Sequence, residues 1–484
     1  MPKKQEQRNN HQNAKMSNPI SPEKIFKSYD IRGIYPDEIN EENIVPIVRA
    51  IYKFFLQSSG SSTPLKIVIG RDMRLSSPIL FEKASETLVE IGANVIDIGL
   101  TSTPTFYFAV LNYGYDGGFQ ISASHNPKEY NGLKIVRKTD KGILKIGKST
   151  GMEDVKKMAL EGVDFGDVQK GSITKHEGIL ADEVKNALKI AGNPEIKKFK
   201  VVADSANAMG ALYIEELFKN IPGDLIKMNF DLDGTFPVHQ PDPLQFETLK
   251  DLQKRVIDEG ADLGLAPDGD GDRIYFIDEK GEIILPSSII GLVSREILKT
   301  NPGSKIIIDL KYTFTPKKTA ENFGGEIVVS KTGHAYITEA MHKNCGYFAG
   351  EASGHYYWSA TGGAESPMPV ILMILSIMTR ENKPLSLLAK EVRSSHESGE
   401  INFKVQNAEE IMEKIKEHYE DGEFSDLDGI AVTYPNWRFS LRSSNTEPLL
   451  RLNIETHLSE DVEKKKKELV EVIEKHAVFE DLPK

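Results

Sequence analysis

Three times along the chain a run of apolar, largely β-branched residues ends in an aspartate: LKIVIGRD at 65–72, KFKVVADSANA at 198–208 and SKIIIDLKYT at 304–313. Unbroken apolar runs, as opposed to alternating ones, predict strands covered on both faces, with polar groups gathering at the carboxyl end. A helical stretch and a second strand follow each run. After the first, Ser77 and Pro78 open a helix whose apolar positions fall three and four residues apart. Strand, helix and strand in succession imply parallel βαβ packing.

Each unit then delivers a further strand that stops in a polar loop: DGGFQISASHNP at 116–127, GADLGLAPDGDGDR at 260–273 and CGYFAGEASGH at 345–355. Ligands of open α/β sheets sit beyond the carboxyl ends of strands, so the three loops are three candidate walls of one site. Beyond the polar stretch SSHESGE at 394–400 the pattern changes. A helix over about 407–419, strands near 429–435, 437–443 and 449–456, and a charged helix opening at Ser459 predict an antiparallel α+β unit. Four domains result, as expected for 484 residues when a single core stops growing at about 250–300.

Composition narrows the partners. A formal net charge of −12 gives no electrostatic reason for a nucleic acid partner, although local cation clusters still suit small anions. The single Cys345 excludes an intrachain disulfide, fits a reducing, cytoplasmic setting and is expected as a structural thiol. The longest apolar run, Pro369 to Met378, is far short of the about 20 residues needed to cross a bilayer, and reads as a buried helix opened by Ser366 and Pro367. No membrane association is expected. The first 20 residues lack an apolar signal core and are expected to be a disordered tail, with Met1 and Met16 both available as starts.

Four loops hold the candidate chemistry. In DGDGD, the carboxylates of Asp268, Asp270 and Asp272 converge if the segment is extended, and three converging carboxylates call for a cation. A calcium loop would need glycine where Arg273 stands, and IYFI continues as strand, so Mg2+ suits the triplet better; a solvated acidic turn is the plain alternative. RSSNTEP, Arg442 to Pro448, offers a guanidinium, hydroxyls and turn amides suited to phosphate, or simply a hydrogen-bonded turn. GEASGH sets Glu351, Ser353 and His355 on alternate positions, where the first two suit neighbouring hydroxyls of a polyol; KTGHAYI places His334 similarly. Ser124, in SASHNP, lacks the Gly-x-Ser-x-Gly elbow, which disfavours an acyl enzyme. A phosphorylated serine beside a metal is the better use, with Ser122 next to be considered. Lys134 lies inside an apolar strand, where desolvation would lower its pKa and suit it to carrying protons, unless it merely snorkels.

Together SASHNP, DGDGDR, GEASGH and RSSNTEP, in that order, resemble the α-D-phosphohexomutases, closest to the bacterial phosphomannomutase/phosphoglucomutase group, with YDIRG (29–33) and GRDMR (70–74) as further matching segments. The resemblance implies an α/β fold of four domains around a central cleft, three of related mixed α/β sandwich topology and a C-terminal α+β, TATA-box-binding-protein-like domain. The boundaries expected are 21–172, 173–282, 283–394 and 395–484. It implies that Ser124 holds the phosphoryl group and binds Mg2+ with Asp268, Asp270 and Asp272. Glu351 and Ser353 would read sugar O3 and O4. Arg442, Ser444, Asn445 and Thr446 would grip the phosphate that is not reacting. Lys134 and Arg32 would transfer protons with His334 and His355 in support, while Tyr29, Arg273 and Lys311 would line the cleft.

The reaction expected is exchange of phosphate between O6 and O1 of mannose or glucose through a hexose 1,6-bisphosphate, by a monomer or weak homodimer. A phosphoglucosamine mutase, a silent sugar-phosphate binder and a Mg-dependent phosphohydrolase are the competing readings. Ala352, where many relatives are bulkier, and the missing acidic and aromatic signature after GHYYW leave the sugar less defined than the reaction.

Overall fold

The computed structural model describes residues 22–61, 64–443 and 449–478; the expected tail lies outside the described residues. Each apolar run that ends in aspartate is a strand at the middle of a sheet: Lys66–Arg71, Phe199–Asp204 and Lys305–Asp309. On one side each pairs in parallel with the strand that follows its helix, Asn94–Leu100, Gly223–Met228 and Glu326–Ser330. On the other side each pairs in parallel with the strand that ends in a polar loop, Gly117–Ile121, Leu263–Pro267 and Phe348–Gly350. The chain then turns back, and a fourth strand pairs antiparallel: Tyr130–Thr139, Ile274–Ile277 and Tyr356–Trp358. SASHNP, DGDGD and GEASGH are therefore the tips of equivalent hairpins in three sheets of one topology.

The first sheet also takes Ile173–Lys175 as its far strand, parallel to Asn94–Leu100. The open edge of Asn94–Leu100 needs a partner for its backbone groups, so the segment just past the expected 172/173 boundary completes the first sheet. The helices open where Pro stands at a first-turn position: Ser77–Glu90 and Pro367–Glu381, the second with most of its residues buried. One continuous apolar cluster joins the second and third sheets, including Ile214, Leu265, Ile290, Ile306 and Leu375. The first sheet has cores on both faces.

The C-terminal unit is a five-stranded antiparallel sheet, in the order His396–Lys404, Leu449–Thr456, Trp437–Ser443, Ile430–Thr433 and Glu423–Ser425. Leu441, Leu452 and Ile454 point into a core with helices Ala408–His418 and Ser459–His476. The alternate positions, Arg438, Ser440, Arg442, Asn453 and Glu455, are polar yet buried, because that face meets the third unit. Arg438 donates to the Lys311 carbonyl at 2.7 Å, and Glu455 accepts the backbone N–H groups of Thr313 and Phe314 at 2.8 and 2.9 Å. Among the described residues no helix is long and apolar enough to cross a membrane. Cys345 is exposed at the carboxyl end of His334–Asn344 with φ 55°, so it is not the packed structural thiol expected.

Candidate active site

Ser124 sits at the first hairpin tip with φ 51°, a left-handed conformation that costs a side-chain-bearing residue energy and persists only where surroundings enforce it. The enforcement comes from Arg74, which is fully buried and uses every guanidinium N–H: Nε to Asp72, Nη1 to the carbonyls of Pro127 and Tyr130, Nη2 to those of Ser124 and Asn126. Ser122 Oγ accepts the Ser124 N–H at 2.9 Å, so Ser122 supports the turn. Ser124 Oγ is thereby aimed across to the second unit, where it donates to Asp268 at 2.9 Å. The two loops meet so closely that a Cβ on Gly269 would lie 2.3 Å from the Ser124 carbonyl oxygen.

Asp268, Asp270 and Asp272 present carboxylate oxygens within 4.8 Å of one another, all buried. The ammonium of Lys134 reaches both Asp270 and Asp272 at 2.5 Å. Desolvation pulls the lysine pKa down, as expected, but three facing carboxylates outweigh it and raise the pKa well above the ordinary value. Lys134 is therefore held as a cation, a correction to its expected poise. Burial, then Asp272 and Asp270, push Asp268 up to about 8. Burial acts the same way on Asp272, but Lys134 and His355 prevail and hold it well below the carboxylate range. Buried Asp270 Oδ1 has no hydrogen-bond partner among the described residues. Such an all-oxygen donor set fits a divalent cation.

The third hairpin closes onto the second through a bridge between Arg273 and His355. His355 Nε2 lies 3.1 Å from Asp272 and Nδ1 lies 2.7 Å from Ser353 Oγ and 3.2 Å from Glu351. Burial would lower the His355 pKa, yet Asp272 and Glu351 raise it to about 9. Glu351, despite burial, is drawn down to about 2 by His355, the Tyr357 hydroxyl and the Gly333 N–H. Arg273 pairs with Asp242 at 3.5 Å and Asp268 at 3.8 Å.

His334 opens its helix with the Tyr29 ring 5.4 Å away, edge on. Burial, then Lys145 and Lys134, keep it neutral. Arg32, on the edge strand beside Lys134, bonds Asp30 and Asn126. Where the third unit meets the C-terminal one, Lys311 lies 3.1 Å from Glu400, and Arg442 3.9 Å from the same carboxylate. Ser444, Asn445 and Thr446 lie outside the described residues.

Some functional neighbours have little or no signal in the sequence. His125 Nδ1 is 3.1 Å from Ser124 Oγ, and burial, then Arg273 and Arg32, hold its pKa well below the ordinary value; its adjacency to Ser124 was the available clue. Lys145 is buried against Glu365, with the rings of Tyr107 and Tyr357 near its ammonium at 5.1 and 4.9 Å. Glu365, in the stretch after GHYYW, is grouped with Asp272 and His355.

Comparison with known proteins agrees with this geometry over nearly the whole chain. Profiles described as phosphoglucomutase/phosphomannomutase, alpha/beta/alpha domains I, II and III, match residues 23–149, 181–281 and 286–395, and the C-terminal domain profile matches 400–472. A phosphomannomutase of Vibrio cholerae is 39% identical over 440 residues, 89% of this chain and 94% of its own. One from Methanocaldococcus jannaschii is 37% identical over 463 residues, 93% and 96% of the two chains. A crystal structure of a phosphoglucomutase/phosphomannomutase family protein from Burkholderia thailandensis superposes with TM-score 0.83 at 27% identity, covering 94% of this chain and 99% of that one.

Proposed function

The chain belongs to the phosphoglucomutase/phosphomannomutase family and is a mutase acting on mannose or glucose phosphates, and from that premise we propose that it exchanges phosphate between O6 and O1 through Ser124. The observation that supports this most is the serine hydroxyl held in a left-handed turn 2.9 Å from Asp268, inside a three-carboxylate cluster. An alcohol so fixed is oriented for one acceptor, and orientation is where most of the gain in such a transfer lies.

In the proposed cycle, phospho-Ser124 gives its phosphoryl group to the free hydroxyl of a hexose monophosphate. The P–O bond to serine breaks as the P–O bond to the sugar forms, and the hydroxyl proton passes to a base. The hexose 1,6-bisphosphate turns round, and its other phosphoryl group returns to Ser124 Oγ. Mg2+, held by Asp268, Asp270, Asp272 and the phosphoserine, would neutralise charge on the serine oxygen as it leaves. His334, kept neutral, suits the accepting of a proton, whereas Lys134, kept charged, holds the carboxylates of Asp270 and Asp272 in place. Arg32 and His355 hold the surrounding charges in place. Glu351 and Ser353 would bind O3 and O4, which glucose and mannose share, while Tyr29, Arg273 and Lys311 line the path. Arg442, with Ser444, Asn445 and Thr446, would grip the other phosphate. The five-stranded sheet backed by two helices supports reading the C-terminal unit as TATA-box-binding-protein-like.

The test is to incubate wild type and Ser124→Ala with mannose 1-phosphate, glucose 1-phosphate and glucosamine 1-phosphate, with Mg2+ and a trace of hexose 1,6-bisphosphate. Wild type converts the first two to 6-phosphates with almost no inorganic phosphate released, and the variant does not. Equal rates for both proteins would exclude the phosphoserine route, and stoichiometric phosphate release would mark a hydrolase.

A further inference from the structure

Glu400 is a carboxylate set among cations that would face the non-reacting phosphate, and the transfer chemistry leaves it without a task. On the strand His396–Lys404 it stands opposite Asn453, which makes it the diagonal neighbour of Arg451; Arg451 in turn is directly opposite Arg442. These positions share the polar face of the sheet, turned toward the third unit. Two arginines directly opposite repel each other, and Lys311 adds a third positive charge from across the interface. Glu400 meets all three: 3.1 Å to Lys311 Nζ, 3.6 Å to Arg451 Nε and 3.9 Å to Arg442 Nη2. Burial acts to raise its pKa, but Lys311, Arg451 and Arg442 prevail and keep it below the ordinary carboxylate value. Glu400 thus offsets part of the positive charge that would face a phosphate monoester, itself at about −1.5 to −2.

We propose that Glu400 is a positioning residue that tempers the phosphate clamp: by cancelling one of three positive charges it lets the clamp orient a phosphate and still release it when the bisphosphate turns round. This rests on the mutase reading above, since a hydrolase or a binder has no need to turn its ligand. Binding that is uniformly tighter lowers KM without speeding chemistry, and in a reaction that must free and recapture its intermediate it slows the reorientation step. Had Glu400 served only to gather the three cations, its loss would weaken phosphate binding; the tempering role predicts the opposite sign.

The experiment uses the full chain, Glu400→Gln, and inorganic phosphate as the probe, read by calorimetry and by competitive inhibition. Removing one like charge from beside a partly desolvated phosphate is expected to tighten binding about tenfold. KM for hexose 1-phosphate falls with it, kcat also falls, and the affinity declines more steeply with salt than in wild type. Glu400→Asp, which keeps the charge, returns these values toward wild type. Weaker or unchanged phosphate binding in Glu400→Gln overturns the inference, as does an aspartate variant that behaves like the glutamine one. The phosphate measurement needs no sugar turnover. A wild-type protein that fails to interconvert hexose phosphates would therefore defeat the mutase reading separately, leaving the sign of the Glu400 effect to be read on its own.

Discussion

At the serine loop, Ser124, Lys134, Asp268, Asp270 and Asp272 are each at most 4% exposed and are tied across two sheets by direct bonds. At the proposed phosphate end, the side chains of Glu400 and Arg451 remain 25% and 23% exposed, and Glu400 meets Lys311 across a unit boundary at 3.1 Å and Arg442 of its own sheet at 3.9 Å. The contrast follows from the fold. The serine and metal loops are tips of hairpins in rigid sheets whose main-chain atoms nearly touch at Gly269, whereas the clamp is assembled between the third sheet and a separate antiparallel one. A reaction whose bonds change at one fixed point, while its substrate is presented first by one end and then by the other, needs this division. Geometry must be exact where the phosphoryl group moves and forgiving where it is only held.

The largest effect should come from damaging the fixed end. Asp270→Asn removes one charge from the triplet while leaving Lys134 its bond to Asp272; kcat is expected to fall by about a thousandfold or more, with an unchanged circular dichroism spectrum. Arg442→Gln attacks the adjustable end, and there KM for hexose 1-phosphate should rise by about 10- to 100-fold while kcat changes by only a few-fold. A kcat loss as large as that of Asp270→Asn would erase the distinction between the two ends.

The rigidity of the serine end has a stability cost that pH reveals. Glu183 is fully buried, its Oε1 has no partner, and Thr105 alone bonds Oε2; burial pushes its pKa from 4.5 up to about 7. Thr105 belongs to the helix Thr103–Asn112, whose first residue bonds Asp270, so this strain adjoins the metal loop. Between these two pKa values the folded chain keeps a proton that the unfolded chain has released. Stability therefore falls as pH rises through that window, and the loss is complete above about 7. Glu183→Gln should melt higher than wild type at pH 8, by the equivalent of roughly 3 kcal/mol, and no higher at pH 4, as differential scanning calorimetry would show. Smallest is Ser122→Ala, which removes the acceptor for the Ser124 N–H and a hydroxyl bonded to Asp72. It should cost about 1 kcal/mol in stability and a few-fold in kcat, read by urea unfolding and steady-state rates; complete loss of phosphorylation would make Ser122 the acceptor instead.

Much of this was legible in the chain. Apolar runs ending at Asp72, Asp204 and Asp309 gave the sheet centres, since covered strands leave an unbroken hydrophobic record, and proline-marked helix starts at Ser77 and Pro367 did the same for helices. The Asp triplet was readable because its three carboxylates lie within five residues of sequence. What stayed hidden joins distant residues. Arg74 shapes the serine turn through four carbonyls 50 to 56 residues away, and Lys145 finds Glu365 across 220 residues. Composition has no mark for either. Lys134 differs from its expectation for a related reason: its own strand shows the burial that lowers a lysine pKa, and only the second unit supplies the carboxylates that raise it. Glu400 lies in a polar stretch whose evident reading was a boundary, and its partners come from three other segments.

The most direct measurement of the central claim is a single turnover of enzyme loaded with radiolabelled phosphate and mapped by peptide mass analysis. The account predicts label on Ser124 alone, and on mixing with unlabelled hexose 1-phosphate its transfer to hexose bisphosphate at a rate no slower than kcat. Label that stays on Ser124 through many turnovers, that maps to another residue, or that leaves as inorganic phosphate would contradict it.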